Sequence, residues 1–370
     1  MKRNYLLVKI LFILLTATFL GNTPSWAESE IPHEANSEET HHEDEKFNPG
    51  DLIMGHIGDE YGWHITTIGE KHITIPLPVI LYSKHSGFHV FMSDKLGHGH
   101  DSYKGFYIAK GDKNPNKGKI VETVNNIETR PYDISITKNT LSLFISLILI
   151  LYIFISVAKA YQKREGKAPK GLQSFLEPLI LFIRDDVAKA ALGEKRYMKF
   201  TPYLLSIFFF IFLNNLLGLI PIFPGGANLT GNIAITMTLA AFTFVIILIN
   251  SNKNYWQHIF NAPGVPWWLK LPIPLMPLVE FTGIFIKPFV LMVRLFANIS
   301  AGHIVALGFF SLIFIFGEMG GVPAGIGGGI FSVAFTVFLT FLELLVAFIQ
   351  AYVFTLLSAL YFDMATEEHH

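Results

Sequence analysis

The sequence predicts an all-α polytopic membrane protein with five transmembrane segments. The last two form a long tilted helical hairpin, accompanied by an interfacial helix and a small β-rich extracytoplasmic N-terminal region. Three observations carry that expectation. Of 370 residues, 51% are hydrophobic and only 15% charged, against about 25% charged in an ordinary soluble domain. From Leu141 onward the apolar residues gather into long runs, near or beyond the ~20 residues that span a bilayer. Charge collects instead in one N-terminal block and one basic loop. A net charge of -1 leaves no basic footprint for nucleic acid. The absence of cysteine removes disulfides, thiolate metal sites and a cysteine nucleophile.

The chain divides into residues 1–27, 28–138 and 139–370. The first reads as a signal peptide: Lys2, Arg3 and Lys9 supply the positive end, residues 10–20 the apolar core, and Ser25-Trp26-Ala27 the small-x-small cleavage site. Residues 28–138 are polar, with 18 acidic and 11 basic residues. Their acidic start, 28–51, is nearly free of large apolar residues and is expected to be disordered. Short β-rich runs follow at 64–68, 72–82, 88–92, 106–109 and 132–137, punctuated by Gly, Pro, Asn and Asp. Ten of the fourteen histidines lie between His33 and His100, but their spacing matches no metal-binding pattern and reads as solvated surface.

Residues 141–158 form the first uncharged span. Ten Lys/Arg follow between Lys159 and Lys199, which assigns this loop to the cytoplasmic side by the positive-inside rule. The same orientation follows from an exported N-terminus. Within the loop, Leu172, Phe175, Leu176, Leu179, Ile183 and Val187 recur at helical spacing opposite Glu177, Arg184, Asp185 and Lys189, as in an interfacial amphipathic helix. Spans at 202–221 and 231–250 come next, with Asn214 and Asn215 inside the first. Residues 273–316 and 329–362 would measure about 66 and 51 Å as helices, well beyond a hydrocarbon core of about 30 Å. They must tilt or break, with the glycines and Pro323 of 317–329 making the turn. No Gly-Lys-Ser/Thr closes that stretch, so it is not a phosphate loop.

Glu280, Lys287, Arg294 and His303 lie in the first long segment, and Glu343 and Gln350 in the second. A charge at mid-membrane costs about 2.5–3.5 kcal/mol even on lenient scales, so such residues face protein or water and mark function. At 100° per residue, Glu280, Lys287, Arg294 and Asn298 share one stripe, while His303 points about 180° away from Arg294. Glu343, Gln350 and Tyr361 share a face of the second segment. Two packed antiparallel helices thus offer one polar face to a partner and hold His303 near Glu343. Lys287 has a second reading as the structural partner of Glu280, Gln350 as an ordinary interhelical hydrogen-bonding group, and Glu318 as a turn residue. Arg294 keeps its proton in a protein, whereas His303 and Glu343 can exchange theirs.

Arg294-Leu295-Phe296-Ala297-Asn298, with Ala301-Gly302 beyond it, resembles the signature of subunit a of the F-type ATP synthase. The C-terminal run from Ile349-Gln350-Ala351 through Tyr361 to Met364-Ala365-Thr366 is similar to that family's ending, and Asn215-Leu216-Leu217-Gly218-Leu219-Ile220-Pro221 to its first hairpin. The resemblance covers residues 134–370. It implies a non-catalytic proton-translocating stator subunit of the bacterial inner membrane, without cofactor, metal or nucleotide site. The implied partners are the c-subunit ring, the b-subunit peripheral stalk, the other ATP synthase subunits and membrane lipid. Arg294 would face the ring between two half-channels; Asn298, His303, Glu343, Gln350 and Asn215 would line the outer one, and Glu280 the cytoplasmic exit. Lys287 and Tyr361 are additional candidates. Many bacterial members carry the acid and the imidazole exchanged between the positions of His303 and Glu343, and many have an acid where Gly218 stands. A secondary ion transporter or channel is the competing class, but the internal repeat such proteins often show is missing. Residues 28–138, outside the resemblance, are expected to be an appendage for assembly or packing, dispensable for translocation itself.

Overall fold

The structure is a computed structural model describing residues 49–50, 53 and 58–367, apart from 69–70, 112–113, 125–126, 221–222 and 261–274. The expected signal peptide, most of the acidic start and the second half of the 251–270 loop lie outside the described residues.

The N-terminal unit is built of short antiparallel strands. β1 (Gly62–Ile68) pairs with β2 (Lys71–Pro76). β3 (Pro78–Ser83) lies between β4 (Gly87–Met92) and β8 (Tyr132–Asp133). β5 (Phe106–Ile108), β6 (Ile120–Val124) and β7 (Ile127–Thr129) form a third sheet. The run 72–82 is two strands rather than one. Pro76 and Pro78 flank Leu77, and a residue without an N–H cannot continue a ladder on both sides, so the chain changes sheet there. Alternation along β3 buries Val79 and Leu81 while exposing Tyr82. The inward residues meet Tyr61, Phe91, Leu96, Phe106 and Ile120 in one small core. Among the described residues no group of three or more His, Asp or Glu is placed to share a metal.

Among the described residues, five helices are long and apolar enough to cross a membrane. α1 (Lys138–Lys163) starts at an N-cap Thr137, whose hydroxyl accepts from the Thr140 N–H at 3.4 Å. α2 (Leu172–Leu181) continues through a π-helical turn, Phe182–Lys189, into α3 (Ala190–Leu219), with a break at Gly193 (φ 71°, ψ 168°). Of the expected amphipathic stripe, Leu176, Ile183 and Val187 are buried, but Leu172 and Phe175 are exposed. The π turn widens the helix and rotates the stripe, so its N-terminal end no longer faces the core. α4 (Ile233–Asn250) and the short α5 (Lys253–Phe260) follow.

α6 (Leu275–Thr366) contains both arms of the hairpin, Pro277–Pro323 and Gly325–Thr366. The reversal is sharper than expected. Helix persists through most of the glycine-rich stretch, and the non-helical backbone is at Gly321 (φ 67°, ψ -165°), where only glycine avoids strain. Glu318 is therefore helical rather than a turn residue. Close approach allows this: a Cβ on Gly325 would lie 3.1 Å from the Gly317 Cα. Packing of Phe309 on Phe335 (4.2 Å between centroids) sets the antiparallel register. At 47 and 42 residues the arms measure about 70 and 63 Å, so they cross a 30 Å core only if tilted or projecting.

The membrane core joins α3, α4 and both arms through Leu204, Phe208, Ile247, Leu291, Phe354 and Phe362. Phe200 stacks on Phe362 at 4.8 Å. The end of the second arm is fastened by polar contacts. Arg196 donates to Asp363 Oδ1 (2.7 Å) and to Thr366 Oγ1 (2.9 Å). Asn252 donates from its backbone to Ala365 O (2.9 Å) and from its amide to Thr366 O (3.0 Å).

Candidate functional site

A cavity of about 260 Å³ opens where α3, the link after it and the two arms meet. Asn214, Asn215 and Gly218 come from α3, Asn228 and Thr230 from the link, Asn298 and His303 from the first arm, and Glu343 from the second. Thr230 Oγ1 donates to Asn215 Oδ1 at 2.6 Å, and Asn215 Nδ2 donates to Ala347 O at 3.2 Å. One amide thus ties three elements together. Asn214 spends its Nδ2 on Phe210 O (2.7 Å), and Asn228 accepts the Gly231 N–H on Oδ1 (3.0 Å). The remaining atoms Asn214 Oδ1, Asn228 Nδ2 and Glu343 Oε1 are buried without a protein partner. A buried polar atom left unpaired costs about 1–3 kcal/mol. All three belong to residues around a space that holds several waters at about 30 Å³ each.

Both arms approach closely at this level. A Cβ on Gly302 would stand 2.8 Å from Glu343 Oε1, and one on Gly218 would stand 3.8 Å from His303 Nε2. His303 and Glu343 therefore border one cavity, as helical rotation predicts. Arg294 is exposed on the other side of the first arm, outside the cavity lining. The register through Gly302/Glu343 and Lys287/Tyr361 brings Arg294 level with buried Gln350. Lys287 is not paired with Glu280: no ion pair within 4.0 Å joins them among the described residues. Its Nζ sits over the Tyr361 ring (5.7 Å) and near Met364 Sδ (3.8 Å). The ladder of residues along that edge separates the ammonium from the carboxylate by two helical turns, and the aromatic face is nearer.

A family model described as ATP synthase A chain matches residues 140–363. The chain belongs to the ATP synthase A chain family. Members are proton-channel subunits of the synthase membrane sector, and this chain is accordingly a multi-pass membrane protein of that sector. It is 42% identical over 251 residues to ATP synthase subunit a of Chloroherpeton thalassium, covering 66% of this chain and 71% of that one. To ATP synthase subunit a of Chlorobium phaeobacteroides it is 43% identical over 246 residues, covering 64% and 68%. A second model, a domain of unknown function (DUF8433), matches residues 52–140.

Of the candidate residues, the cavity gathers Asn215, Asn298, His303 and Glu343, and leaves Arg294, Gln350, Glu280, Lys287 and Tyr361 outside. Gly218 borders the cavity, where a Cβ would meet Ala227 O at 3.4 Å and His303 Nε2 at 3.8 Å, ordinary contact distances. Asn228 and Thr230 are site residues that sequence reasoning missed. The signal was an Asn-x-Thr inside an uncharged link between two spans, where polar groups need partners.

Proposed function

We propose that the cavity is the outer half-channel of the proton path, and that Arg294 divides it from a cytoplasmic half-channel containing Glu280. The cluster of orphaned polar atoms around a half-open cavity, away from Arg294, is the observation that carries this reading. Water completes those hydrogen bonds and conducts protons along the cavity wall, with His303 and Glu343 as the exchanging groups and Asn215 and Asn298 orienting water beside them; Gln350, outside that lining and level with Arg294, stands at the inner end of the path. Arg294 stays charged and favours the ionised form of a carboxylate that passes it on the c-subunit ring. Lys287 and Tyr361 support the cytoplasmic side of the same face.

The orientation rests on charge. The Arg196–Asp363 contact joins the C-terminal end of the hairpin to the end of α3 nearest the basic loop, so the C-terminus shares the cytoplasmic side with that loop. The β unit precedes α1 at the opposite, extracytoplasmic end, behind a cleaved signal peptide. The b-subunit stalk and the other synthase subunits complete the assembly, and the chain itself performs no catalysis.

ATP-driven acidification of inverted membrane vesicles tests the path. Glu343→Gln keeps the shape and removes the exchangeable charge. Proton pumping should fall about tenfold or more, as when an acid–base group is lost, while the assembled complex remains present. Normal pumping by that variant overturns the assignment of the cavity.

A further inference from the structure

Among the described residues, the β unit meets the membrane unit at Asp59–Glu60 and again at Trp63, a few residues further on. At the first, Asp59 accepts the Asn139 N–H on Oδ1 (3.0 Å) and the Thr137 hydroxyl on Oδ2 (2.9 Å), while the Lys138 N–H donates to Glu60 O (2.9 Å). These bonds fix the start of α1 with donors that a helix leaves unpaired. At the second, Trp63 in β1, 3% exposed, meets Phe223 edge to face with centroids 5.1 Å apart. Phe223 belongs to the link between α3 and α4, and that link forms one wall of the cavity through Ala227, Asn228 and Thr230. Gly226 N–H donates to Leu217 O (3.0 Å), so the far side of the link is held to α3. Its near side is held by the tryptophan.

We infer that the N-terminal unit is a buttress for the channel mouth: anchored on α1 by Asp59 and Glu60, it presses Trp63 onto Phe223 and so sets the position of Asn228 and Thr230. Trp63 is a positioning residue acting through the link, and the unit is more than a dispensable appendage. Thr230 passes the constraint inward, since its hydroxyl holds Asn215, which in turn holds Ala347 of the second arm. The inference rests on the cavity being the outer half-channel.

The chain contains no cysteine, so a single Asn228→Cys in the intact complex reports the link through its reaction with a membrane-impermeant thiol reagent applied from outside. Trp63→Ala should raise the labelling rate about three- to tenfold, the range of an aromatic pair's contribution, and Trp63→Phe should restore it to within about twofold. Phe223 is 42% exposed, so Phe223→Ala removes the same contact without emptying a core. It should give the same increase, and combining it with Trp63→Ala should add nothing further. Unchanged labelling in Phe223→Ala and Trp63→Ala overturns the buttress. Glu343→Gln pumping, measured in the same preparation, separately decides whether the cavity conducts: normal pumping with raised labelling removes the channel reading but leaves the mechanical link standing.

Discussion

The two faces of the first hairpin arm differ in who completes them. Behind, His303 is half-buried in a cavity lined by α3, the link and the second arm, all from the same chain. In front, Arg294 is exposed, with exposed Val290 one turn before it on the same arm. An arginine facing lipid in this way carries a penalty of about 2.5–3.5 kcal/mol or more. The rear face is furnished by its own chain, whereas the front face leaves a permanent charge exposed. On the proposed reading, one helix carries both the proton path and the charge that meets the ring, kept apart by about half a turn of rotation.

The largest effect should come from the front face. Arg294→Lys keeps a charge but loses the rigid planar fork and its permanently held proton. Pumping in inverted vesicles should fall about 100-fold or more, as when one pre-organised charge leaves a reaction centre, with insertion and assembly intact. Near-normal pumping would show that the front face needs only a positive charge. On the rear face, His303→Gln or Glu343→Gln should each lower pumping about tenfold. Exchanging the two, His303→Glu with Glu343→His, should recover more than the worse single variant; strictly additive losses would mean that they act separately. Gly302→Ala tests the rear face more gently. Its methyl group would crowd Glu343 Oε1 at 2.8 Å, the flexible end of a side chain, so pumping should drop only about twofold to threefold. A loss as large as that of Glu343→Gln would mean that the carboxylate cannot move aside.

How far these faces could be read from the sequence depended on what each residue answers to. The separation of Arg294 from His303 follows from nine residues at 100° each, which packing does not alter. The β3 alternation was equally local, since Val79 and Leu81 bury at period two. By contrast, β6 contains Glu122, and that buried carboxylate is satisfied by Ser83 and Ser86, distant in sequence, which both donate to it. No window around 120–124 reveals such a partner. Asn228 and Thr230 were missed for the same reason, because their direction is set by Asn215 and Gly231 in the folded chain. The tight reversal at Gly321 was hidden among glycines that sequence reading treated as one long turn, although their lack of a Cβ lets the arms approach so closely that one on Gly325 would lie 3.1 Å from the Gly317 Cα.

The smallest expected effect concerns the anchor on α1, outside both faces. Burial holds the Asp59 carboxyl above its ordinary value of 3.8, against the opposing hydrogen bonds from Asn139 and Thr137. A carboxyl raised in the folded state contributes most below 3.8 and loses that contribution as pH rises through its raised value. Protease cleavage between β8 and α1 in intact vesicles should therefore quicken modestly with rising pH across that acidic window. Asp59→Asn should flatten the dependence. An unchanged pH profile in that variant would assign the sensitivity to another group.

The fastening at the end of the second arm has a mechanical consequence. Arg196 and Asn252 grip Asp363, Ala365 and Thr366, whereas Met319 and Val322 at the opposite tip are 80% and 74% exposed. A pair of helices fastened at its base and reversing at an exposed tip has the shape of a cantilever. A sideways load on such a beam gives the greatest moment at the fastening and the greatest travel at the tip. Arg294 lies closer to the fastened end than Gly321 does, so under such a load it would travel less than the tip.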